Sequence, residues 1–409
     1  MNIDVLQSLM KENSIDAAII LSEENRRYFT SFPASDGVLA VCRDECVFYT
    51  DSRYIEAAKN SIDCCEVREG KEQYKQLRDL FKRNNVKNIA VEESRMTLSR
   101  FNNLTKNEQL KDFEFISDGR LDTIVNALRS VKTEREINYV RQAQSIAEDA
   151  FLHILDFMKP GMTEKHVQLE LDYYMLSHGA EALSFDTIAV AGKKTSMPHG
   201  VPGENVIKSG DFVTFDFGAV VNGYHSDMTR TVALGDVSEK QREVYNTVLS
   251  AHNAVLSTVK AGVTCREADA AARDVIKSAG YAECFGHGTG HGVGIEIHEY
   301  PFVSPRSDAV LNAGNIVTDE PGIYLKDRFG VRIENTLLVV PAFQTECGTF
   351  LKFETLTLCP IDRRPIIREM MSEEEIDWLN QYHQMVYDRL APILSEDEKT
   401  WLKTATKPL

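Results

Sequence analysis

Residues 211–231 read DFVTFDFGAVVNGYHSDMTRT. Two β-rich runs flank Asn222-Gly223, a strong short-range hairpin signal. With those two residues in the turn, Val221 faces Tyr224, Gly218 faces Asp227 and Asp216 faces Thr229. Side chains alternate along a strand, so Asp216, Gly218, Asp227 and Thr229 share one face. The two carboxylates then lie diagonally, about 7–8 Å apart at the backbone and within joint reach of one or two cations. Glycine leaves room beside Asp227, and the Thr229 hydroxyl stands by Asp216. Buried like charges repel unless something positive lies between them. Taken alone, the stretch fits a surface hairpin with two solvated acids equally well. The rest of the chain must supply further ligands.

The chain has 409 residues, room for two or three domains. A net charge of −16 argues against nucleic acid and anionic membranes as partners. No apolar run approaches the length of a membrane span. The N-terminus, MNIDVLQSLMKENSID, lacks a signal-peptide core. The cysteines, at 42, 46, 64, 65, 265, 284, 347 and 359, form no CxxC pair and no zinc-finger spacing with histidine. Scattered thiols without an export signal indicate a reducing cytoplasm.

Up to about residue 125 helical and strand patterns alternate, which indicates an α/β domain. Residues 17–21 read as a buried strand, 37–51 as a hairpin, 54–60 and 73–84 as helices, 88–91 and 113–116 as strands. Residues 121–131 form a bridge. Thr133 then precedes a long amphipathic helix over 134–158, stopped by Lys159-Pro160-Gly161. Thr163 caps a second helix that ends at His178-Gly179. The same landmarks return 101 positions later. Lys260-Ala261-Gly262 follows a helix over 252–259, and Thr264 caps another that ends at Ala279-Gly280. This is an internal duplication of helix, turn, helix and strands. A pseudo-two-fold axis would bring the two sheets together around a cleft.

Each copy leads into histidine-bearing strands. The first ends in Pro198-His199. The second is FGHGTGHGVGIEIHEYP, with His287, His291 and His298. Its glycines never make GxGxxG, so they fit close backbone packing rather than a nucleotide loop. Asp216-Phe217-Gly218 spells a kinase motif that no Gly-rich loop or HRD accompanies. Further on, Glu320 ends an apolar run before Pro321-Gly322. Residues 331–340 read as one strand with Arg332, Glu334 and Thr336 on a common face. Charge inside such a strand calls for a partner or a metal. Asp216, Asp227, His291, Glu320 and Glu334 are therefore the candidate ligands. Four carboxylates and an imidazole carry about −4, which two divalent cations neutralise. Oxygen-rich ligation favours an ion such as manganese. Two metals can hold a bridging hydroxide and polarise a carbonyl, which indicates metal-assisted hydrolysis. His199, His287 and His298 remain free to donate hydrogen bonds to a substrate and its tetrahedral intermediate.

The stretches MPHGVPGE, FDFGAVVNGYHSDMTRT, GHGTGHGVGIEIHE, DEPGIY and GVRIENT resemble the Xaa-Pro peptidases of the pita-bread fold: aminopeptidase P, prolidase and their relatives methionine aminopeptidase and creatinase. The resemblance covers nearly the whole chain. It implies an α+β pita-bread catalytic domain over 129–345, a creatinase-like α/β domain over 1–128, and a C-terminal extension over 346–409. It implies two divalent ions, manganese with cobalt or zinc as alternatives. Asp216 and Asp227 would bind one, with Asp227 bridging. His291 would bind the second, and Glu320 and Glu334 would complete the pair, with Glu334 bridging. Glu320 would also exchange the proton of the metal-bound water. His199 and His298 would steady the scissile carbonyl and the oxyanion, and His287 would line the proline pocket. Arg332 would orient His298 or a substrate carboxylate.

Asp319 and the Asn335 of RIEN depart from the short bacterial prolidases and, with LKFETLTLCPID, are similar to longer aminopeptidases P. The single N-terminal domain and GIEIHEYP are similar to the shorter forms. The expected activity is removal of the first residue from peptides with proline second. The competitors are an Xaa-Pro dipeptidase and a metal-free binding protein of the same fold. In the tail, Ser372 and Glu375 make a capping box before a helix with Ile376, Leu379, Val386 and Leu390, and a piece with Trp401 follows. That helical extension fits a lid on the catalytic domain or a contact in a homodimer, the state the resemblance implies.

Overall fold

The structure is a computed structural model that describes residues 2–258, 262–346 and 348–409. The chain divides into two compact units, one ending at Arg129 and one running Ser130–Leu409.

The first unit alternates helices and strands in the order α1 (Asn2–Glu12), β1 (Ala17–Ile20), α2 (Glu23–Thr30), β2 (Val38–Cys42), β3 (Cys46–Thr50), α3 (Ile55–Ser61), β4 (Glu66–Glu69), α4 (Gln73–Arg83), β5 (Asn88–Val91), α5 (Leu98–Thr105), β6 (Glu114–Ile116) and α6 (Arg120–Ser130). Its strands form one mixed sheet in the order β4-β3-β2-β1-β5-β6. β1 reads AAII with every residue buried, as a strand covered on both faces requires. The expected hairpin is β2–β3, with Val41 opposite Cys46. Sequence reasoning missed α2, α5 and the edge strand β4, whose EVRE has no apolar pattern. It also read 121–131 as a bridge, where α6 is helical.

The second unit holds two helix pairs, each followed by strands. The first pair is α7 (Glu134–Phe157) and α8 (Glu164–Ser177). Its strands are β7 (Ala182–Leu183), β8 (Ile188–Ala191), β9 (Phe212–Phe217), β10 (Ala219–Val221), β11 (Tyr224–His225) and β12 (Met228–Ala233). The second pair is α9 (Glu239–Leu256) and α10 (Cys265–Ser278). Its strands are β13 (Gly290–Gly292), β14 (Glu299–Val303), β15 (Ile316–Asp319), β16 (Gly322–Leu325), β17 (Phe329–Arg332), β18 (Asn335–Thr345) and β19 (Gly348–Thr355). Helices α11 (Glu373–Leu390) and α12 (Glu396–Ala405) close the chain.

The duplication is legible atom by atom. Thr163 caps α8 through His166 N, and Thr264 caps α10 through Glu267 N. Ile207 N donates to Met162 O at 2.9 Å, and Leu311 N to Val263 O at 3.0 Å. Glu164 N donates to Asn205 O at 3.0 Å, and Cys265 N to Ala309 O at 2.8 Å. The landmark Lys260 lies outside the described residues. α9 starts well before 252, at a Ser238–Gln241 capping box.

The hairpin keeps its expected register on both sides of the turn. Val221 pairs with Tyr224, and Asp216 with Thr229. Asn222 and Gly223 both have positive φ, +50° and +81°, as a type I′ turn demands. Gly218 breaks the ladder, so β9–β12 joins β8 while β10–β11 joins β7. A Cβ on Gly218 would overlap the Ser226 carbonyl. That close approach, not room beside Asp227, is what needs glycine here. The expected single strand over 331–340 is two. β17 pairs with β16, β18 pairs with β15, and Glu334 falls in the gap. The segment past 345, expected to be helical, opens with β19, which is hydrogen-bonded along β18. The buried face of α11 then packs Leu379, Tyr382, Val386 and Leu390 with Val244 and Val248 of α9 and with Ile333 and Leu337. Burying each such side chain is worth roughly 1.5–3 kcal/mol, so α11 is part of this unit's core.

Candidate metal centre and active site

Strand ends place the candidate ligands. Asp216 sits near the end of β9, and Asp227 immediately precedes β12. His291 is the middle residue of β13, Glu320 directly follows β15, and Glu334 precedes β18. Asp216, Asp227, His291, Glu320 and Glu334 line one cavity of about 890 Å³, together with His199, His287, His298 and Arg332. The structure thus brings these nine residues to one place.

Asp227, His291 and Glu334 each offer a donor atom within 4.8 Å of the others. His291 Nε2 lies 3.5 Å from Asp227 Oδ2 and 3.5 Å from Glu320 Oε1. Its Nδ1 lies 3.1 Å from Gly292 O. A carbonyl only accepts, so Nδ1 carries the proton and Nε2 turns a lone pair toward the acids. Burial, then His298, lower the His291 pKa to about 3, so the ring is neutral. A lone pair facing two carboxylate oxygens at that distance is repulsive unless a proton or a cation lies between them. Asp216 Oδ1 and Glu334 Oε1 are buried without a hydrogen-bond partner. Burial, then Glu334, Asp216 and Glu320, push the Asp227 carboxyl well above its usual range. Burial, then Glu334, do the same to Glu320. Glu334 is raised to about 8 by burial, then by Asp216. Unmet acceptors, crowded carboxylates and a neutral imidazole are a donor set that fits divalent cations.

Arg332 differs from expectation. Its Nη2 donates to Asp216 Oδ2 at 2.5 Å, its Nε to Thr229 Oγ1 at 3.0 Å, and its Nη1 to Tyr324 OH at 2.9 Å. It therefore steadies a carboxylate of the cluster rather than His298. His298 instead packs edge-on against His291, with ring centroids 4.3 Å apart. Thr229 supports a candidate ligand, though not the one it was expected to stand beside: its hydroxyl donates to Glu334 Oε2 at 2.7 Å and not to Asp216.

Sequence reasoning missed Tyr324. Its hydroxyl accepts from Arg332 and lies 2.9 Å from His287 Nε2. His287 Nδ1 donates to Gly288 O at 2.7 Å, so Nε2 accepts from Tyr324. Burial, then Arg332, lower the His287 pKa to about 4. Tyr324 is uncharged and ends the DEPGIY stretch, so a search for acids and histidines passes over it. Thr336, expected on the strand face, donates its hydroxyl to Asp227 O at 2.8 Å.

Residues 138–341 match the model of metallopeptidase family M24. Residues 349–409 match the C-terminal region of that peptidase, and 3–131 match the creatinase/prolidase N-terminal domain. An uncharacterized peptidase of Bacillus subtilis is 41% identical over 343 residues, covering 83% of this chain and 95% of the relative. The Xaa-Pro dipeptidase from Bacillus anthracis superposes with a TM-score of 0.79 at 40% identity, covering 88% of this chain and 98% of that one. The X-Pro aminopeptidase from Thermotoga maritima superposes with a TM-score of 0.75 at 37% identity, covering 86% and 97%. With an acid-and-histidine cradle at the seam of a duplicated fold, and with these matches along its length, the chain belongs to metallopeptidase family M24.

Proposed function

We propose that this protein hydrolyses the peptide bond between an N-terminal residue and a following proline, as an Xaa-Pro aminopeptidase dependent on two divalent ions, manganese first among them. The observation that carries the reading is the His291 lone pair facing Asp227 and Glu320 among crowded buried acids. Asp216, Asp227, His291, Glu320 and Glu334 hold the ions. When bound, they supply Lewis-acid activation of water and of the scissile carbonyl. Glu320 takes the proton from the attacking water and returns it to the leaving prolyl nitrogen. His199 and His298 donate to the carbonyl oxygen as negative charge develops there. His287 walls the proline side, its ring fixed by Gly288 and Tyr324. Arg332 keeps Asp216 in place.

The B. anthracis and T. maritima relatives share an Xaa-Pro bond in their names and differ in substrate length. The dipeptidase reading therefore stands second. Rates on Xaa-Pro, Xaa-Pro-Yaa and Xaa-Ala-Yaa peptides in manganese separate the two. The expected result is release of the first residue from Xaa-Pro-Yaa only. Cleavage of Xaa-Pro alone would transfer the assignment to the dipeptidase, and cleavage of neither prolyl peptide by metal-loaded protein would end both. A metal-free binding protein has no use for five retained ligands. The cysteines other than the undescribed Cys347 are all free thiols, which supports a reducing cytoplasm. A homodimer completes the reading by resemblance. Light scattering tests it, and a monomer mass would remove it.

A further inference from the structure

The strand ends that carry Glu320 and Glu334 have a second polar layer behind them. Asp319 and Asn335 are cross-strand partners in the β15–β18 ladder. Alternation turns their side chains away from the cavity that Glu320 and Glu334 face. Both are fully buried, and so is His252 of α9. His252 sits across the pair. Its Nε2 lies 3.1 Å from Asn335 Nδ2, and its Nδ1 lies 2.8 Å from Asp319 Oδ2, off the line of an ideal hydrogen bond. Arg230 Nη2 donates to Asn335 Oδ1 at 2.8 Å, which turns the amide NH2 toward His252. His252 Nε2 therefore accepts, and the proton sits on Nδ1 beside Asp319.

The chain of contacts continues into the C-terminal segment. Arg230 Nη1 donates to Thr229 O and Glu334 O, which ties β12 of the first half to the Glu334 backbone. Its other N–H groups donate to Pro360 O at 3.2 Å, Cys359 O at 2.8 Å and Tyr382 OH at 2.8 Å. Tyr382 lies on α11 and stacks on Trp378, whose ring packs against His252 with centroids 5.5 Å apart. A buried guanidinium and imidazole are costly to desolvate, and apolar residues of like volume would fill a core more cheaply. What this layer gains is direction, because its bonds end on the strands that carry Thr229, Glu320 and Glu334.

We propose that His252, Asn335 and Arg230 are positioning residues through which α11 and the 357–360 loop hold Glu320 and Glu334 at the spacing the metal site requires. The proposal rests on the metallopeptidase reading. Its test uses the full chain with His252→Gln and Tyr382→Phe, the second being a lost hydroxyl remote from every ligand. Three quantities are read: manganese affinity by titration calorimetry, the melting temperature of metal-free protein, and kcat against KM on an Xaa-Pro-Yaa peptide. Both variants are expected to bind manganese about 10-fold more weakly and to lose kcat with KM unchanged, as altered support behind metal ligands does. Metal-free melting should stay near that of the wild type. A lowered melting temperature with unchanged manganese affinity and kcat would overturn the proposal and leave a plain core role. If His252→Gln does not fold, Tyr382→Phe decides. Wild-type protein that binds no manganese would overturn the metallopeptidase reading with it. Wild-type binding matched by both variants would remove the positioning claim alone.

Discussion

Asp216 and Glu320 are counterparts under the internal duplication. Asp216 pairs with Ile188 of β8, and Glu320 N donates to Thr289 O, the residue just before β13. The two halves thus deliver one acid each from the same place in the sheet. Their surroundings differ, because Arg332 hydrogen-bonds Asp216 and not Glu320. Asp216 is anchored by the Arg332 guanidinium, whereas Glu320 has no such anchor and carries the proton exchange in the proposed reaction. Glu320→Gln should therefore lower kcat by about 100–10,000-fold, the usual scale for a lost general acid–base, while one amide oxygen still serves the metal. Asp216→Asn should weaken manganese binding more than Glu320→Gln does. Calorimetry alongside turnover reads both, and equal effects on metal affinity and kcat in the two variants would contradict this division of labour.

Asp227 is 4% exposed and is crowded by Glu334, Asp216 and Glu320. Without metal, these acids repel one another. Asp227→Asn should raise the melting temperature of metal-free protein, by about 1–2 °C for each kcal/mol of relieved repulsion. It should also remove most of the stabilisation that manganese gives the wild type. Differential scanning calorimetry with and without metal reads both effects. A metal-free variant that melts below the wild type would show that the acids are already compensated.

Tyr324 links Arg332 to His287 through one hydroxyl. Tyr324→Phe frees the His287 ring and leaves an Arg332 N–H without its acceptor. An expected fall in kcat/KM of about 10-fold corresponds to about 1.4 kcal/mol, one ordinary hydrogen bond. Manganese stoichiometry should not change. Loss of metal from this variant would mean that the tyrosine supports the ligands directly.

Away from the site, Glu148 of α7 is buried and accepts from Leu358 N at 2.5 Å. Burial raises its pKa from 4.5 to about 8. A raised carboxyl stabilises the fold fully below its unfolded pKa, and that contribution is lost as pH rises through the folded pKa. The wild type should therefore lose stability between about pH 4.5 and 8, with a limiting slope near 1.4 kcal/mol per pH unit. Glu148→Gln keeps the acceptor oxygen and removes the titration. Urea midpoints at pH 5, 6.5 and 8 should converge on, then cross, those of the wild type as pH rises. Parallel profiles would show that Glu148 is ionised in the native state.

Much of the site was legible because its logic is local. The Asn222-Gly223 turn sets register, register sets the shared face of Asp216 and Thr229, and Thr163 and Thr264 mark the repeat. What escaped depends on tertiary pairing. The run from Val331 to Val340 breaks at Glu334 to serve two sheets, and its only local sign is the polar Glu334-Asn335-Thr336 between apolar flanks, which also fits one strand with a charged face. The resemblance implies that Arg332 orients His298 or a substrate carboxylate, and the sequence does not reveal that Asp216 Oδ2 waits across the cleft. Tyr324 and Thr336 act through hydroxyls, and His252 through a strand pair behind the wall. Such roles have no charge signature of their own. β4 and α5 were missed because short edge and surface elements show weak periodicity.

The most direct measurement is a manganese titration of chelator-stripped protein, with bound metal and release of the first residue from an Xaa-Pro-Yaa peptide followed together. Two equivalents should bind per chain, with activity absent before the titration and complete at the second equivalent. Full activity in the stripped protein, or saturation with metal and no cleavage at the prolyl bond, would contradict it.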